Sequence, residues 1–198
     1  MLLLIVGLIV FFGIHLVPTH PGLRDGLRDR FGATSYQIGF SVVSLLGLAL
    51  IVFGYHRLQL LPGKNPQLWV PPTWTKHVAF TLMLPAMILL VAAYVPSRIR
   101  TAAKHPMLLA IKIWALAHLL ANGTLAALVL FLSFLVYAVY DRISVKKRAA
   151  AGPLGSKTGG IGGDITVLVV GTALYAFMLL YGHQALINKA LISFRIGS

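Results

Sequence analysis

The chain contains no cysteine and no glutamate, and its 198 residues include only four acidic side chains, all of them aspartate. Without cysteine there are no disulfides and no thiolate metal sites, although the cellular compartment stays open. Charged residues make up 11% of the sequence and apolar ones 58%, a balance that excludes an ordinary soluble globule and points to a membrane protein.

Six apolar stretches approach the roughly 17 to 25 residues that a helix needs to cross a bilayer. They run from Met1 to Val17, Tyr36 to Tyr55, Val78 to Val95, Met107 to Ala121, Thr124 to Tyr140 and Ile165 to Ala185. The expected fold is therefore an all-α, polytopic transmembrane bundle of six helices, or five, forming a single domain over residues 1–198. The fourth stretch is the shortest, and only Asn122 and Gly123 separate it from the fifth. A tight helical hairpin is expected there, one that need not reach the far surface. The first stretch is a poor signal peptide, since no Lys or Arg precedes it and no small-x-small cleavage site follows, so it reads as a permanent helix.

A net charge of +13 would suggest nucleic acid in a soluble protein, but here it has another origin. Cytoplasmic loops of membrane proteins accumulate Lys and Arg. With the N-terminus outside, the inner segments hold eleven basic residues: Arg24, Arg28, Arg30, Arg98, Arg100, Lys104, Arg142, Lys146, Lys147, Arg148 and Lys157. The outer segments hold five, namely Arg57, Lys64, Lys76, Lys189 and Arg195, and Lys112 lies within a helix. The charge thus predicts an inner-membrane protein with both termini outside, whose partner is the lipid bilayer and not nucleic acid.

The loops carry three patterns. GLRDGLRDRFG, residues 22–32, spaces Arg24/Arg28 and Asp25/Asp29 at i, i+4, which predicts a short amphipathic helix at anionic headgroups. LPGKNPQLWVPPTW, residues 61–74, is too rich in proline for regular helix, and Trp69 and Trp74 suit an interfacial aromatic belt. AAAGPLGSKTGGIGGD, residues 149–164, fails as a phosphate loop because Ser156 separates the glycine from the lysine. It reads as a flexible linker ending in Asp164, whose side chain can cap the last helix. Asn122-Gly123-Thr124 matches a glycosylation triplet but lies too near the bilayer to be an acceptor.

Histidine is the residue type with the most chemistry to offer. His20, His77 and His183 fall at helix ends, where an interfacial imidazole needs no special role. His118 lies twelve residues beyond Pro106, about 18 Å along a helix. An ionisable side chain at that depth is costly and faces a bundle interior or cavity. Ile111, Trp114, Ala115, His118 and Asn122 share one helix face. Two roles are open: interhelical hydrogen bonding by His118 and Asn122, or ligation of iron, zinc or copper by a neutral imidazole. Lys112 can snorkel to the interface or balance a cofactor carboxylate. His105 precedes Pro106 at a helix start, as an interfacial residue or a donor to a neighbouring ligand, and His15 lies near the inner end of the first helix. As a metal pair, His15 with His118 requires convergent depths, and His15 with His105 is the alternative.

The segment HPMLLAIKIWALAHLLANG, followed by LFLSFLVYAVYDRISVKKR, closely resembles the signature of the NnrU family of bacterial integral membrane proteins. FFGIHLV, FSVVSLLGLALIVFGY and VVGTALYAFMLLYGHQALI extend the resemblance over nearly the whole chain. It implies a link to nitrite and nitric oxide metabolism in denitrifying bacteria. It also implies kinship with zeta-carotene isomerase, a plant and cyanobacterial membrane enzyme with haem b. By that resemblance His15 and His118 are haem and metal ligands, and His56 and His105 match further histidines of the isomerase; on the residue pattern, Trp114 and Asn122, which share the face of His118, would then line the cofactor, with His56, His105 and Lys112 behind them. The isomerase has a further histidine where this chain carries FLVYAVY. Three functions follow as expectations: a haem b protein linked to nitric oxide, a haem-dependent isomerase of a polyene lipid, or a non-catalytic membrane accessory protein. Catalytic residues are not identified. The HP dipeptide also resembles isoprenylcysteine methyltransferases, whose later cofactor segment needs a Glu that this chain lacks.

Overall fold

A computed structural model describes residues 1–148, 155 and 157–191. Most of the linker at 149–156, and Arg195, lie outside the described residues. The chain divides into two units, Met1–Asn65 and Pro66–Ser198.

The first unit contains α1 (Leu2–Leu16), a single 3-10 turn (Val17–Thr19), α2 (Pro21–Phe31) and α3 (Ala33–Leu60). The arginine-aspartate repeat forms α2 as expected. Pro21 starts it, and Gly32 ends it at φ +81°, a conformation closed to most other residues. The helices α1 and α3 pack along a seam of glycines. A Cβ on Gly54 would lie 2.5 Å from Leu4 N, one on Gly47 2.8 Å from Phe11 N, and one on Gly7 2.6 Å from Ile51 N. Backbone meets backbone at all three points, which is how helices associate where lipid removes the hydrophobic drive. Large side chains such as Leu45 and Phe53 face outward instead.

The second unit holds α4 (Thr73–Ala92), α5 (Arg98–Ala103), α6 (Pro106–Ala121), α7 (Leu125–Arg148), α8 (Ile161–Phe177), a π-helical turn (Met178–Gly182) and α9 (His183–Ile187). Here α4 packs against α6 and α8, and α6 against α7. Alanines 92, 110, 115, 117, 126, 127 and 138 are buried at these contacts, while Leu132, Val136 and Val169 face out. Gly171 sets the α4–α8 approach, since a Cβ there would lie 2.7 Å from Ile88 Cα.

All six expected apolar helices are present. Five of the spans are long and apolar enough to cross a membrane, whereas Pro106–Ala121 is an apolar helix of only 16 residues. The proline-rich segment is non-helical up to Pro72, as expected, and its last part folds back on the α6–α7 hairpin. Leu68 N and Trp69 N donate to Gly123 O at 2.7 and 3.2 Å, and Leu125 N donates to Pro66 O at 3.0 Å.

Asp164 departs from expectation. The last long helix begins at Ile161, with Gly160 before it, so Asp164 falls inside the first turn and does not cap its own helix. Its carboxylate accepts instead from Arg98 N at 2.7 Å, Ile99 N at 3.2 Å and Arg98 Nε at 2.6 Å, capping α5 from across the unit. Gly159 and Gly163 allow this because their α-carbons lie directly against the backbone of Pro96 and Ser97. Beside it, the buried Arg100 donates to Lys157 O at 2.6 Å and Gly155 O at 2.7 Å. The linker is thus tied at its described end to α5.

Candidate functional site

The site in the second unit grows out of the end of α6. Pro106 suits the first position of this helix, where its missing N–H is not needed, and the helix then continues without a breaker to Ala121. His118 falls in its last turn. It is far from Pro106, as the sequence requires, but only one turn from the Asn122–Gly123 reversal.

The half-buried His118 ring is fixed on several sides. Its Nδ1 lies 2.8 Å from Trp114 O. A carbonyl oxygen can only accept, so Nδ1 carries the proton and the lone pair of a neutral ring sits on Nε2. Phe131 of α7 stacks on the ring at 4.5 Å between centroids and 29° between planes. Trp114 stands 5.2 Å away and is itself held edge-on by Phe131 and Phe134 at 5.0 and 5.3 Å. Asn122 donates through Nδ2 to His118 O at 2.9 Å and accepts from Lys189 Nζ at 3.1 Å. Its amide therefore closes the end of α6 and joins it to the segment after α9.

A second imidazole belongs to this cluster. His183 opens α9 directly after the π turn, and its Nδ1 lies 2.8 Å from Met178 O, five residues back. The same donor-acceptor logic leaves its lone pair on Nε2. Its ring centre is 6.0 Å from that of His118, with the planes only 15° apart. Sequence reading passed over His183 as a helix-end residue. The π turn that sets its direction leaves no mark in the hydropathy pattern, and π turns concentrate at functional sites.

The other expected site residues are distributed as follows. Lys112 is half-buried in the middle of α6. His105 precedes Pro106, and partial burial, with Arg142 nearby, pushes its pKa below the ordinary imidazole value. His15 and His56 belong to the first unit, in α1 and α3. His15 repeats the pattern of His118: its Nδ1 lies 2.7 Å from Phe11 O, Phe11 stacks on it at 4.0 Å, and Phe40 stands at 5.1 Å. The structure thus brings Trp114, His118 and Asn122 together and adds His183 and Lys189, while His15 and His56 lie in a separate unit. Among the described residues no group of three or more His, Cys, Asp or Glu side chains could hold a metal ion.

The family model described as NnrU protein matches residues 3–190. The chain belongs to the NnrU family. No curated protein and no solved structure matches it. In this NnrU chain the match covers both units, including α1 with His15 and the cluster around His118.

Proposed function

We propose that this NnrU protein is a haem b protein of the bacterial inner membrane, with its N-terminus outside, and that it acts in nitrite and nitric oxide metabolism with His118 as an iron ligand. The observation that carries the reading is the state of His118. Its proton is committed to Trp114 O, its face to Phe131, and its Nε2 lone pair remains for a metal.

The residues present fit haem iron by donor chemistry. Neutral imidazole is a standard axial ligand, the flanking Trp114, Phe131 and Phe134 suit a flat apolar ring system, and the Lys189 cation suits a propionate. Iron with two histidine ligands exchanges electrons, and iron with one leaves a position for a small ligand such as nitric oxide. Within this chain, the Trp114 carbonyl fixes the tautomer of His118, Phe131 fixes its plane, and Asn122 holds the helix end that carries it. Expected placement in the membrane follows from charge. In the second unit, Arg98, Arg100, Lys104, Arg142 and Lys146 to Arg148 gather near one end of the helices, whereas Lys76 and Lys189 lie near the other.

The accessory-protein reading has one observation in its favour: the hydrogen bond that His118 makes through Nδ1 stays within its own helix, as a packing residue's would. Isomerisation of a polyene lipid such as zeta-carotene rests on the resemblance alone, with FLVYAVY in place of the isomerase's further histidine. Absorbance of the purified protein and pyridine haemochrome analysis decide among them. A Soret band with haem b, reduced in His118→Ala, supports the proposal. A colourless wild-type protein, produced in cells with ample haem, rejects it in favour of the accessory role. Haem content unchanged in His118→Ala but lost in His15→Ala moves the ligand to the first unit.

A further inference from the structure

We infer that α2 is a headgroup-binding helix. It lies in the plane of the membrane surface with Leu23, Leu27 and Phe31 in the oil, and Arg28 and Arg30 hold the phosphates of anionic phospholipids on its two sides. The inference concerns the Met1–Asn65 unit alone and does not depend on haem.

Connectivity places the helix. The α1 span runs out by Thr19 and the α3 span begins at Ala33, so Pro21–Phe31 is confined to the membrane surface where the two spans meet. None of its residues is buried: Leu23 is 54% and Phe31 56% exposed, and Leu27 is half-buried. At about 100° per residue these three fall within one sector of about 80°. An apolar stripe left largely uncovered by its own unit, on a helix held at the lipid surface, is covered by acyl chains. A soluble partner fits worse, since it would have to cover the stripe from the side where the bilayer lies.

The charges are sorted about that stripe. From its centre Arg24 and Arg30 lie about 60° to either side and Arg28 about 100°, whereas Asp25 and Asp29 lie about 160° away, on the opposite face. The cations thus line the borders where lipid phosphates run, and both carboxylates fall on the water side. Arg30 already lies along the stripe, its guanidinium 5.3 Å from the centre of the Phe31 ring. Arg24 is paired with Asp25, Nη2 to Oδ1 at 2.8 Å, but Arg28 and Arg30 have no ion pair among the described residues. Their planar forks match a phosphodiester, and their long stems reach headgroups from beside the acyl layer. The two stand about 160° apart around the helix, so they meet different lipids.

The absence of cysteine allows a clean test. The full chain, with one cysteine introduced in turn at each position from 22 to 31, is spin-labelled in vesicles of phosphatidylcholine and phosphatidylglycerol. Collisions with oxygen should peak at 23, 27 and 31, and collisions with a water-soluble nickel chelate at 25 and 29. A fluorophore on Gly26→Cys, where nothing lies within 4 Å of an added Cβ, should be quenched more by spin-labelled phosphatidylglycerol than by spin-labelled phosphatidylcholine. Arg28→Gln and Arg30→Gln should each lower that preference about 5-fold, as loss of one surface cation predicts. Arg28→Lys should keep most of it, and Asp29→Asn should not lower it. Nickel reaching 23, 27 and 31 as readily as 25 and 29 overturns the inference, and so does spin–spin broadening at 27, which would make this face a contact between two copies. Equal quenching by the two lipids, or a preference indifferent to both glutamine variants, reduces α2 to an apolar anchor and refutes headgroup binding. A preference abolished by inorganic phosphate at constant ionic strength refutes it too, in favour of a free-phosphate site. The haem content of the same samples reads the functional proposal separately.

Discussion

Substituting Gly54 by alanine tests the glycine seam between α1 and α3. The new Cβ would stand 2.5 Å from Leu4 N, 2.8 Å from Leu4 Cα and 3.0 Å from Leu3 C, where ordinary contact begins near 3.4 Å. The deficit of about 0.9 Å is against backbone, which cannot rotate aside as a side chain would. The two helices must therefore separate, and a gap of that size forfeits a quarter to a half of each dispersion contact along the seam. Gly47 against Phe11 and Gly7 against Ile51 lose their fit as well. Overpacking of this kind costs about 1–3 kcal/mol, or about 5- to 150-fold in an opening equilibrium. Hydrogen–deuterium exchange of the α1 amides in detergent reads that change directly. Gly39→Ala in the same helix is the control, because nothing lies within 4 Å of its added Cβ. It should be neutral or stabilise α3 by about 0.5–1 kcal/mol through helix propensity. Equal protection in Gly54→Ala and wild type, or equal loss in both variants, would refute the backbone-contact argument.

Three further outcomes follow. Asp164→Asn removes the charge that caps α5 and pairs with Arg98, so the thermal midpoint should fall, and raising salt should narrow the gap to wild type. The pKa of His105 is pushed down by burial and Arg142, so the unfolded chain takes up a proton at higher pH than the folded one. Stability should hold above the ordinary histidine range and decline as pH falls through it towards the folded value, and His105→Gln should flatten that dependence in thermal melts. Gly171→Ala brings a Cβ to 2.7 Å from Ile88 Cα and should destabilise the α4–α8 contact by about 1–3 kcal/mol, measured as a lowered midpoint.

The helices were legible because lipid-facing and helix-buried positions are both apolar, so length alone marks a span. The i, i+4 repeat in α2 and the prolines before α4 were legible for the same local reason: each acts on its own backbone. The partner of Asp164 was not. Its carboxylate reaches back 66 residues to Arg98, and the glycines that permit the approach look like linker composition until Pro96 is seen against them. His118 stood out by its depth in an oily segment, and the cluster around it includes Trp114 and Asn122 as their spacing required. His183 was missed because its relation to His118 spans 65 positions and depends on a π turn, and Lys189 because a basic residue near a helix end is ordinary.

The short reach of α6 has a consequence for its surroundings. Sixteen residues rise only about 24 Å, against about 30 Å of hydrocarbon in a typical bilayer. The hairpin tip at Gly123 exposes backbone groups that oil cannot solvate, and Pro66 to Trp69 supply them with partners. The acyl layer must pinch inward beside this tip, or the tip must sink, at a cost of fractions of a kcal/mol per Å. Thinner bilayers should therefore suit this unit better than thick ones, because they shorten the oil that the tip of a 16-residue helix has to meet.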